Sequence, residues 1–379
     1  MLYRPEAFDR LTDTPWDDAA VRDRIGEIIT DAGAAWRGPK LFWKAHKWDS
    51  WHATSPMKDL YVGGAGVLWG LDQLRRRGYA ETPLDLAELA VRNLELFGAK
   101  PDYIKLPAFK PPEPRDSALF VGEAGILLVA YKLGSRECAD ELRQRLVANV
   151  DNEAEEVFWG APGSLIAAAA IGDEDSWNLL AAALLSRRDE NGLWTQRLYG
   201  QEYQSLTPPH GLVGIAQALG IESVKDEARQ ILAASAHREN GLANWPPRPR
   251  PDLKGPDGQI RLQWCAGAPG ILIGAADYLD EDLLLAGGEL IWRAGPHGDE
   301  KGPNICHGTA GNGYAFLKVF ARTGDEQWLE RARRFAMHAL EQVERMPSRY
   351  SLFTGGIGVA LYAADCLEAR TAYPIMEYV

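Results

Sequence analysis

The sequence predicts an all-α protein, an α/α toroid in which seven outer helices surround seven inner helices. Three observations support this: a repeated Gly-x-x-Gly motif, an apolar segment after each motif, and no strand pattern of comparable strength. The motif occurs at residues 63–66, 122–125, 160–163, 211–214, 267–270, 308–311 and 355–358. Helical hairpins with one apolar face cannot bury that face alone, so we expect the repeats to stack and close into a ring.

The sixth repeat shows its two helices most clearly. Residues 314–320 are apolar on nearly all sides, which is typical of a buried inner helix. Residues 328–343 carry their apolar side chains on one stripe, which is typical of an outer helix. A capping box at Thr323–Glu326 is predicted to start this outer helix, and Thr82 is predicted to cap the outer helix of the first repeat.

The repeats predict a single domain over residues 1–379, with a lead-in and first helix at 1–57 and seven helical hairpins from about 58 to 379. We expect the glycines at the inner-helix N-termini, where missing side chains allow close approach and positive φ is accessible. These N-termini are predicted to form a partly positive pole suited to thiolates and enolates.

Three long connections enter this pole and are expected to be functional, at residues 101–115, 193–209 and 245–263. A repeated Glu-Asn-Gly-Leu, at 190–193 and 239–242, predicts a turn shared by two repeats.

The composition is that of a soluble globular protein, with 379 residues, 46% hydrophobic and 25% charged. A net charge of -12 argues against nucleic acid or an anionic membrane as partner. No apolar run reaches the roughly 18 residues that span a bilayer, and the N-terminus has no signal core. The four cysteines are too few for a disulfide framework, so we expect a cytoplasmic protein without a membrane span.

The candidate chemistry lies directly before the glycines. Cys265 and Cys306 stand two residues before the first glycine of repeats five and six, and His307 follows Cys306. In a ring these repeats are neighbours, so the three side chains are expected to meet. Two thiols and an imidazole with one open position predict a catalytic-type zinc site. His210 precedes the glycine of repeat four and is a candidate general acid or base.

The other cysteines and histidines are predicted to be structural, because an isolated thiol or imidazole usually packs in the core. They are Cys138, Cys366, His46, His52, His237, His297 and His338.

Three segments resemble the lanthionine synthetase C-like (LanC-like) family: Trp264–Gly270, Cys306–Leu317 and Ser351–Phe353. The resemblance extends through all seven repeats and is closer to the stand-alone LanC-like proteins than to the lantibiotic cyclases. It implies an α/α toroid with one zinc ion held by Cys265, Cys306 and His307. It also implies addition of a thiol, from glutathione or a peptidyl cysteine, to dehydroalanine or dehydrobutyrine in a peptide or protein. A thioether forms, and a separate dehydratase or kinase is a further expected partner.

The resemblance also implies roles for single residues. His210 would protonate the enolate, Arg261 matches an active-site arginine, and Glu156 stands where the cyclases carry a catalytic aspartate. The implied glutathione-binding residues are Lys301, Arg345 and Arg4. Ala266 departs from the family, in which many members have histidine, and this bears on substrate handling rather than on zinc binding.

Two alternatives remain open. One is a zinc-containing protein that binds glutathione or a peptide without turnover, as Ala266 and the missing aspartate suggest. The other is a sugar-processing α/α toroid, which needs a pair of carboxylates. Glu123 and Glu156 are the nearest candidates for that pair, but this function leaves the two cysteines and His307 unexplained.

Overall fold

A computed structural model describes residues 2–46, 49, 56–102, 113–249, 260–346 and 348–379. The inner helices each begin directly after the first glycine of a repeat: α2 (Gly64–Arg76), α4 (Glu123–Lys132), α6 (Ala161–Ile171), α8 (Leu212–Leu219), α10 (Ala268–Ala275), α12 (Thr309–Thr323) and α14 (Gly356–Glu368). The outer helices are α1 (Asp18–Ala34), α3 (Leu86–Ala99), α5 (Ala139–Ala148), α7 (Glu174–Ser186), α9 (Glu222–Ser235), α11 (Glu281–Ala294) and α13 (Glu326–Arg345). The predicted α/α toroid is confirmed.

The two ends of the chain close the ring. Each inner helix contacts the next one, and α14 contacts α2. Helix α1 packs against α14, so the seventh inner helix receives an outer partner from the N-terminal end. The chain therefore forms six consecutive hairpins plus one pair made by its two ends, which differs from seven hairpins in a row. The single domain over residues 1–379 stays a prediction.

Burial separates the two layers as the sequence pattern indicates. Every residue of α10 is buried, because this helix is enclosed by the neighbouring inner helices and its outer partner. In α9 the buried residues are Val224, Ala228 and Leu232, which are spaced by four and share one helical face.

Both predicted helix caps were wrong. Asp85 caps α3 by accepting from the Glu88 N–H at 3.0 Å, and Asp325 caps α13 by accepting from the Gln327 N–H at 3.0 Å. Thr323 still belongs to α12, where its hydroxyl donates to the Val319 carbonyl at 2.8 Å. In each case an aspartate directly before the helix takes the cap position.

The motif glycines are needed for close approach rather than for positive φ. Of the seven first glycines, Gly267 alone has a positive φ, of 110°. A Cβ on Gly125 would lie 1.9 Å from the Leu119 oxygen and 3.1 Å from Leu60 Cβ of the neighbouring repeat. The predicted close approach of the helix entries is therefore observed, and the predicted positive φ holds only at Gly267.

Two short β-hairpins, which the sequence did not predict, interrupt the helical pattern. Strands β1 (Thr195–Leu198) and β2 (Gln201–Gln204) pair antiparallel, as do β3 (His237–Glu239) and β4 (Leu242–Asn244). Asn240 and Gly241 connect β3 to β4 with φ of 53° and 78°, values that suit a tight hairpin turn. The second Glu-Asn-Gly-Leu is thus a hairpin turn, and the first forms a turn before β1.

The turns before the inner helices meet around the axis and form a collar. We define the collar residues as those two positions before each first glycine: Tyr61, Phe120, Phe158, Pro209, Cys265, Cys306 and Phe353. Backbone bonds link neighbouring turns: Tyr61 N to Phe120 O (3.0 Å), Phe120 N to Phe158 O (3.4 Å), Val157 N to Pro209 O (3.0 Å), Cys265 N to Cys306 O (3.3 Å), Cys306 N to Phe353 O (3.0 Å) and Phe353 N to Tyr61 O (3.2 Å). The ring is interrupted between Pro209 and Cys265, because proline has no N–H to donate.

Candidate metal centre and its surroundings

The three predicted metal ligands meet on the collar. The ligand atoms of Cys265, Cys306 and His307 all lie within 4.8 Å of one another. The turn that carries His307 is fixed by Asn304, whose Oδ1 accepts from the His307 N–H at 2.9 Å. Zinc binds sulfur at about 2.3 Å and imidazole nitrogen at about 2.0 Å, so the three atoms fit around one ion. Two thiols and one imidazole are the donor set of a zinc site with one open position.

The two thiols differ in their readiness to ionise. A hydrogen bond from the Cys306 thiol lowers the pKa of Cys265 well below its usual range, and His307 adds to this against the effect of burial. Burial raises the pKa of Cys306, and the neighbouring Cys265 sulfur raises it further. The pair therefore favours one thiolate on Cys265, with the remaining proton on Cys306.

Each sulfur also receives a hydrogen bond from a side chain that the sequence did not single out. Gln263 Nε2 donates to Cys265 Sγ at 2.8 Å, and the Tyr61 hydroxyl donates to Cys306 Sγ at 3.1 Å. Gln263 is held by a reciprocal pair of 3.0 Å backbone bonds with Ala266. The repeat frame contained a signal for both residues. Tyr61 is a collar residue, and Gln263 stands four before the first glycine, the position that Glu156 occupies in its own repeat.

His210 and Glu156 form a second polar pair, one repeat away from Cys265. His210 Nδ1 lies 2.7 Å from Glu156 Oε2, and the side chains are 32% and 0% exposed. The other oxygen, Oε1, accepts from the Trp159 N–H at 2.5 Å, so Glu156 also closes the turn before α6. Since Nδ1 is engaged, Nε2 is the nitrogen through which His210 can exchange a proton with a substrate.

The pKa of His210 is raised above its usual value. Burial acts to lower it, but the hydrogen bond and charge of Glu156, together with the charge of Cys265, outweigh that effect. The ring also packs edge-on against Phe158, with centroids 5.2 Å apart. Glu156 and Cys265 thus stabilise the charged form of the imidazole beside the cluster of candidate metal ligands.

Arg261 lies close to the centre in sequence, but its side chain is at the surface. Its carbonyl accepts from Asn244 Nδ2 at 3.2 Å, and Asn244 Oδ1 accepts from the Ala268 N–H at 2.7 Å at the start of α10. Ala266 is buried between Cys265 and this helix start. The backbone of Arg261 therefore helps to position the Cys265 turn.

The predicted glutathione-binding residues lie on adjacent segments outside the collar. Arg345 is 3.1 Å from Asp299, Lys301 is 3.8 Å from Glu300, and Arg4 is 3.9 Å from Glu6. Their side chains are all at least one-third exposed. A 3.0 Å bond from Gly298 N to Ala7 O joins the N-terminal segment to the loop before α12. The structure brings these three cations to one region, each beside an acidic side chain.

Four of the cysteines and histidines predicted to be structural are packed or hydrogen-bonded inside the protein. Cys138 and Cys366 are buried in the hydrophobic core. His297 bonds to the Leu262 carbonyl at 2.9 Å, and burial lowers its pKa to about 3. His338 Nδ1 accepts from the Thr12 N–H at 3.2 Å. His237 lies in β3 and His46 follows α1, whereas His52 lies outside the described residues.

The predicted positive pole offers fewer free amides than expected. At the start of α12, the Thr309 and Ala310 N–H groups donate to the Gly302 and Pro303 carbonyls at 3.0 Å each. At the start of α8, the Leu212 N–H donates to the Ser205 carbonyl at 2.9 Å. In both helices the preceding turn takes up these amides, so side chains rather than backbone N–H groups provide the polar contacts of the centre.

The long connections are only partly described. The connection over residues 193–209 contains β1 and β2, and its Tyr199 hydroxyl accepts from Trp159 Nε1 at 2.7 Å. Residues 103–112 and 250–259 of the other two lie outside the described residues. Within the described ranges, no helix has the length and apolar character needed to cross a membrane.

Glu123 and Glu156 do not form the carboxylate pair that sugar hydrolysis requires. Glu123 accepts from Arg145 at 2.7 Å at the start of α4, and Glu156 is committed to His210 and to its own turn. The sugar-processing alternative therefore gains no support from these two residues.

Known proteins are similar to this chain in sequence or in fold. The sequence model of the family described as lanthionine synthetase C-like protein matches residues 55–377. "Glutathione S-transferase LANCL1" of Danio rerio is 31% identical over 196 residues, which is 47% of each chain. "LanC-like protein GCL1" of Arabidopsis thaliana is 30% identical over 173 residues, or 39% of this chain and 37% of the relative. The chain thus aligns with less than half the length of these curated relatives.

Among solved structures, nisin cyclase has a similar fold. It superposes with a TM-score of 0.57 at 16% identity, over 91% of this chain and 94% of the cyclase. At that identity the likeness shows the fold alone. The match of the family model over residues 55–377 shows more, and the chain belongs to the lanthionine synthetase C-like family.

Proposed function

We propose that this protein adds a thiol across the double bond of dehydroalanine or dehydrobutyrine in a peptide or protein, forming a thioether. The thiol is glutathione or a peptidyl cysteine. One observation carries the proposal: the cluster of Cys265, Cys306 and His307 lies one repeat from the hydrogen-bonded pair of His210 and Glu156. The first group suits activation of a thiol, and the second suits transfer of a proton.

Cys265, Cys306 and His307 would hold zinc, which lowers the pKa of a coordinated thiol and makes it a nucleophile at neutral pH. The donor set leaves one position for that thiol. Arg261 is the proposed cation for the charge that develops on the acceptor's carbonyl.

His210 supplies the proton. When the thiolate sulfur bonds to the β-carbon, the electron pair of the double bond moves toward the α-carbon and its carbonyl. The Nε2 proton of His210 then passes to the α-carbon, while Glu156 holds Nδ1 and stabilises the charged ring. The proton lost by the incoming thiol restores His210, so the reaction is a net addition without other reactants.

Glutathione is the favoured free thiol. It carries two carboxylates, and Arg4, Lys301 and Arg345 are the proposed partners for them. A carboxylate arriving there would compete with Glu6, Glu300 and Asp299, which lie beside these cations. A relative's name, "Glutathione S-transferase", supports this choice of thiol.

The test combines metal analysis with a peptide assay. Purified protein should contain about one zinc ion per chain, as the single donor set implies. Incubation with glutathione and a dehydroalanine peptide should increase the mass of the peptide by one glutathione. His210→Ala should keep the zinc and lose the product. A zinc-loaded wild-type protein that gives no product would refute the enzyme.

A protein that binds glutathione or a peptide without turnover is the second candidate. The exposed side chain of Arg261 and the apolar Ala266 beside the ligands favour it. It predicts glutathione binding by calorimetry with no change in the mass of the dehydroalanine peptide. The pairing of Glu156 with His210 argues against it, because a carboxylate does stand where the family places its aspartate.

A further inference from the structure

The candidate metal centre must favour attack by the substrate thiol over attack by its own cysteine sulfurs. If the proposed function holds, three sulfurs meet at one site beside an electrophilic double bond. If the sulfur of Cys265 or Cys306 attacked the β-carbon of the double bond, a carbon–sulfur bond would form on the protein. The α-carbon would take up a proton. A ligand thiolate would then become a thioether, a poorer ligand, and the centre would be consumed.

We propose that Gln263 and Tyr61 shield the two ligand sulfurs by hydrogen bonding, so that the double bond is attacked by the substrate thiolate. This inference rests on the proposed function and adds the reason for its selectivity. Gln263 donates to Cys265 at 2.8 Å and Tyr61 donates to Cys306 at 3.1 Å, so each sulfur has its own side-chain donor. A hydrogen bond to a thiolate withdraws electron density from the sulfur and makes it a weaker nucleophile.

The placement of Tyr61 supports a specific role for its hydroxyl. The other aromatic collar residues are Phe120, Phe158 and Phe353, which fill the same position of their repeats without a polar group. The Tyr61 ring packs on Phe158 and Phe353 with centroids 5.0 and 5.3 Å apart, as a phenylalanine would. Packing therefore accounts for the ring, and the bond to Cys306 accounts for the hydroxyl.

A second tyrosine near the sulfurs provides a matched control. Tyr373 is fully buried and stacks on Trp264 with centroids 5.1 Å apart. Its hydroxyl donates to the Ile305 carbonyl at 2.8 Å, not to sulfur. Removal of this hydroxyl tests the effect of losing a buried tyrosine O–H next to the centre while both sulfur donors stay in place.

The experiment measures alkylation of the ligand cysteines in zinc-loaded protein. Wild type, Tyr61→Phe, Gln263→Met and Tyr373→Phe are treated with N-ethylmaleimide, and each cysteine-containing peptide is followed by mass spectrometry. Tyr61→Phe should speed alkylation at Cys306 about tenfold, and Gln263→Met should do the same at Cys265. Tyr373→Phe should match wild type, and the zinc content should stay the same in all four proteins.

The cysteines at which the alkylation rate rises distinguish loss of shielding from unfolding. A variant that unfolds would expose Cys138 and Cys366 as well, and a rise at all four cysteines would overturn the proposal. Unchanged rates at Cys265 and Cys306 would overturn it too, as would loss of zinc, because the donors would then serve to retain the metal. The maleimide assay needs neither glutathione nor a dehydroalanine peptide, so its result is independent of the proposed function. If alkylation rises selectively at Cys265 and Cys306 but the wild-type protein adds no thiol, the proposed function is refuted and the shielding is not. If the alkylation rates stay unchanged but the wild-type protein adds the thiol, the shielding is refuted and the proposed function is not.

Discussion

The two sides of the collar use the same backbone turn for different purposes. In repeats one, two, three and seven the collar position holds an aromatic residue, and Phe120 stacks on Phe158 with centroids 4.7 Å apart. In repeats four, five and six it holds Pro209, Cys265 and Cys306. We call these the aromatic side and the polar side. The glycine motif and the turn recur on both, so the side chains at this position and the next one distinguish the repeats that pack aromatic rings from those that hold the candidate site.

The next residue in each turn is histidine in two repeats of the polar side, whereas repeat five has Ala266 there. On the polar side it is His210 in repeat four and His307 in repeat six. On the aromatic side it includes Val62 and Val121. Tyr61 connects the two sides, because its ring packs on Phe353 and its hydroxyl reaches Cys306. The comparison teaches that a repeated frame can support a site by changing a few side chains at equivalent positions.

The largest expected effect comes from a ligand on the polar side. Cys306→Ala should remove the zinc and reduce thiol addition about a thousandfold, because activation of the thiol is worth several kcal/mol. Elemental analysis and the peptide mass assay measure the two effects. Cys138→Ala, in a buried cysteine away from the collar, should retain both zinc and activity. Full activity in Cys306→Ala would mean that the polar side does not carry the chemistry.

A matching change on the aromatic side should affect stability instead. Phe120→Ala removes a fully buried ring that contacts Phe158 and Phe353, and should lower the free energy of unfolding by about 3 kcal/mol. Urea denaturation measures this, and zinc content at low urea should stay unchanged. If the folded variant lost its zinc, packing on the aromatic side and metal binding on the polar side would not be independent of each other.

The charge of Glu156 should set the pH dependence of the reaction. Glu156→Gln keeps an oxygen for the Trp159 N–H but removes the charge that raises the pKa of His210. Because the proposed mechanism uses the protonated imidazole, activity should fall as pH rises through this pKa, and in the variant the fall should begin at lower pH. The rate at neutral pH should drop about a hundredfold.

The pH profile of kcat/KM is the measurement for this prediction. Glu123→Gln is the control on the aromatic side, since Glu123 pairs with Arg145 and not with a histidine. Its profile should follow that of the wild type. Coincident profiles for Glu156→Gln and wild type would show that Glu156 does not govern the proton on His210.

The smallest expected effect lies outside the collar. Arg345→Ala should raise the KM for glutathione about fivefold and leave kcat unchanged, because one exposed cation contributes little binding energy. Its exposed ion pair with Asp299 should add little to stability for the same reason. Arg143→Ala, in an exposed pair with Asp140 on α5, should change neither constant. A fall in kcat in Arg345→Ala would place this residue in the chemistry of the polar side.

The fold and the meeting of Cys265, Cys306 and His307 could be predicted because both follow from the repeat frame. Seven glycine motifs define seven equivalent corners, and Cys265, Cys306 and His307 lie at two adjacent ones. Tyr61 and Gln263 belong to the same frame, but the sequence alone did not identify them. A tyrosine usually packs in the core and a glutamine usually faces solvent, so only their distances to sulfur show their role.

Other features depended on details that periodicity does not contain. The caps at Thr82 and Thr323 were misplaced because Asp85 and Asp325 compete for the same helix starts. The strands beside Asn240 have three residues each, too few to show an alternating pattern. The pairing of α1 with α14 joins distant parts of the chain, and no local signal in the sequence indicates it.

The ring of backbone bonds in the collar has a consequence for amide hydrogen exchange. The N–H groups of Cys265 and Cys306 belong to this ring, so they can exchange with solvent only when neighbouring repeats separate. Exposure of these candidate metal ligands thereby requires opening of the toroid and not local fraying. The interruption at Pro209 is the point where the ring lacks a bond, and exchange is expected to spread from that side of the collar.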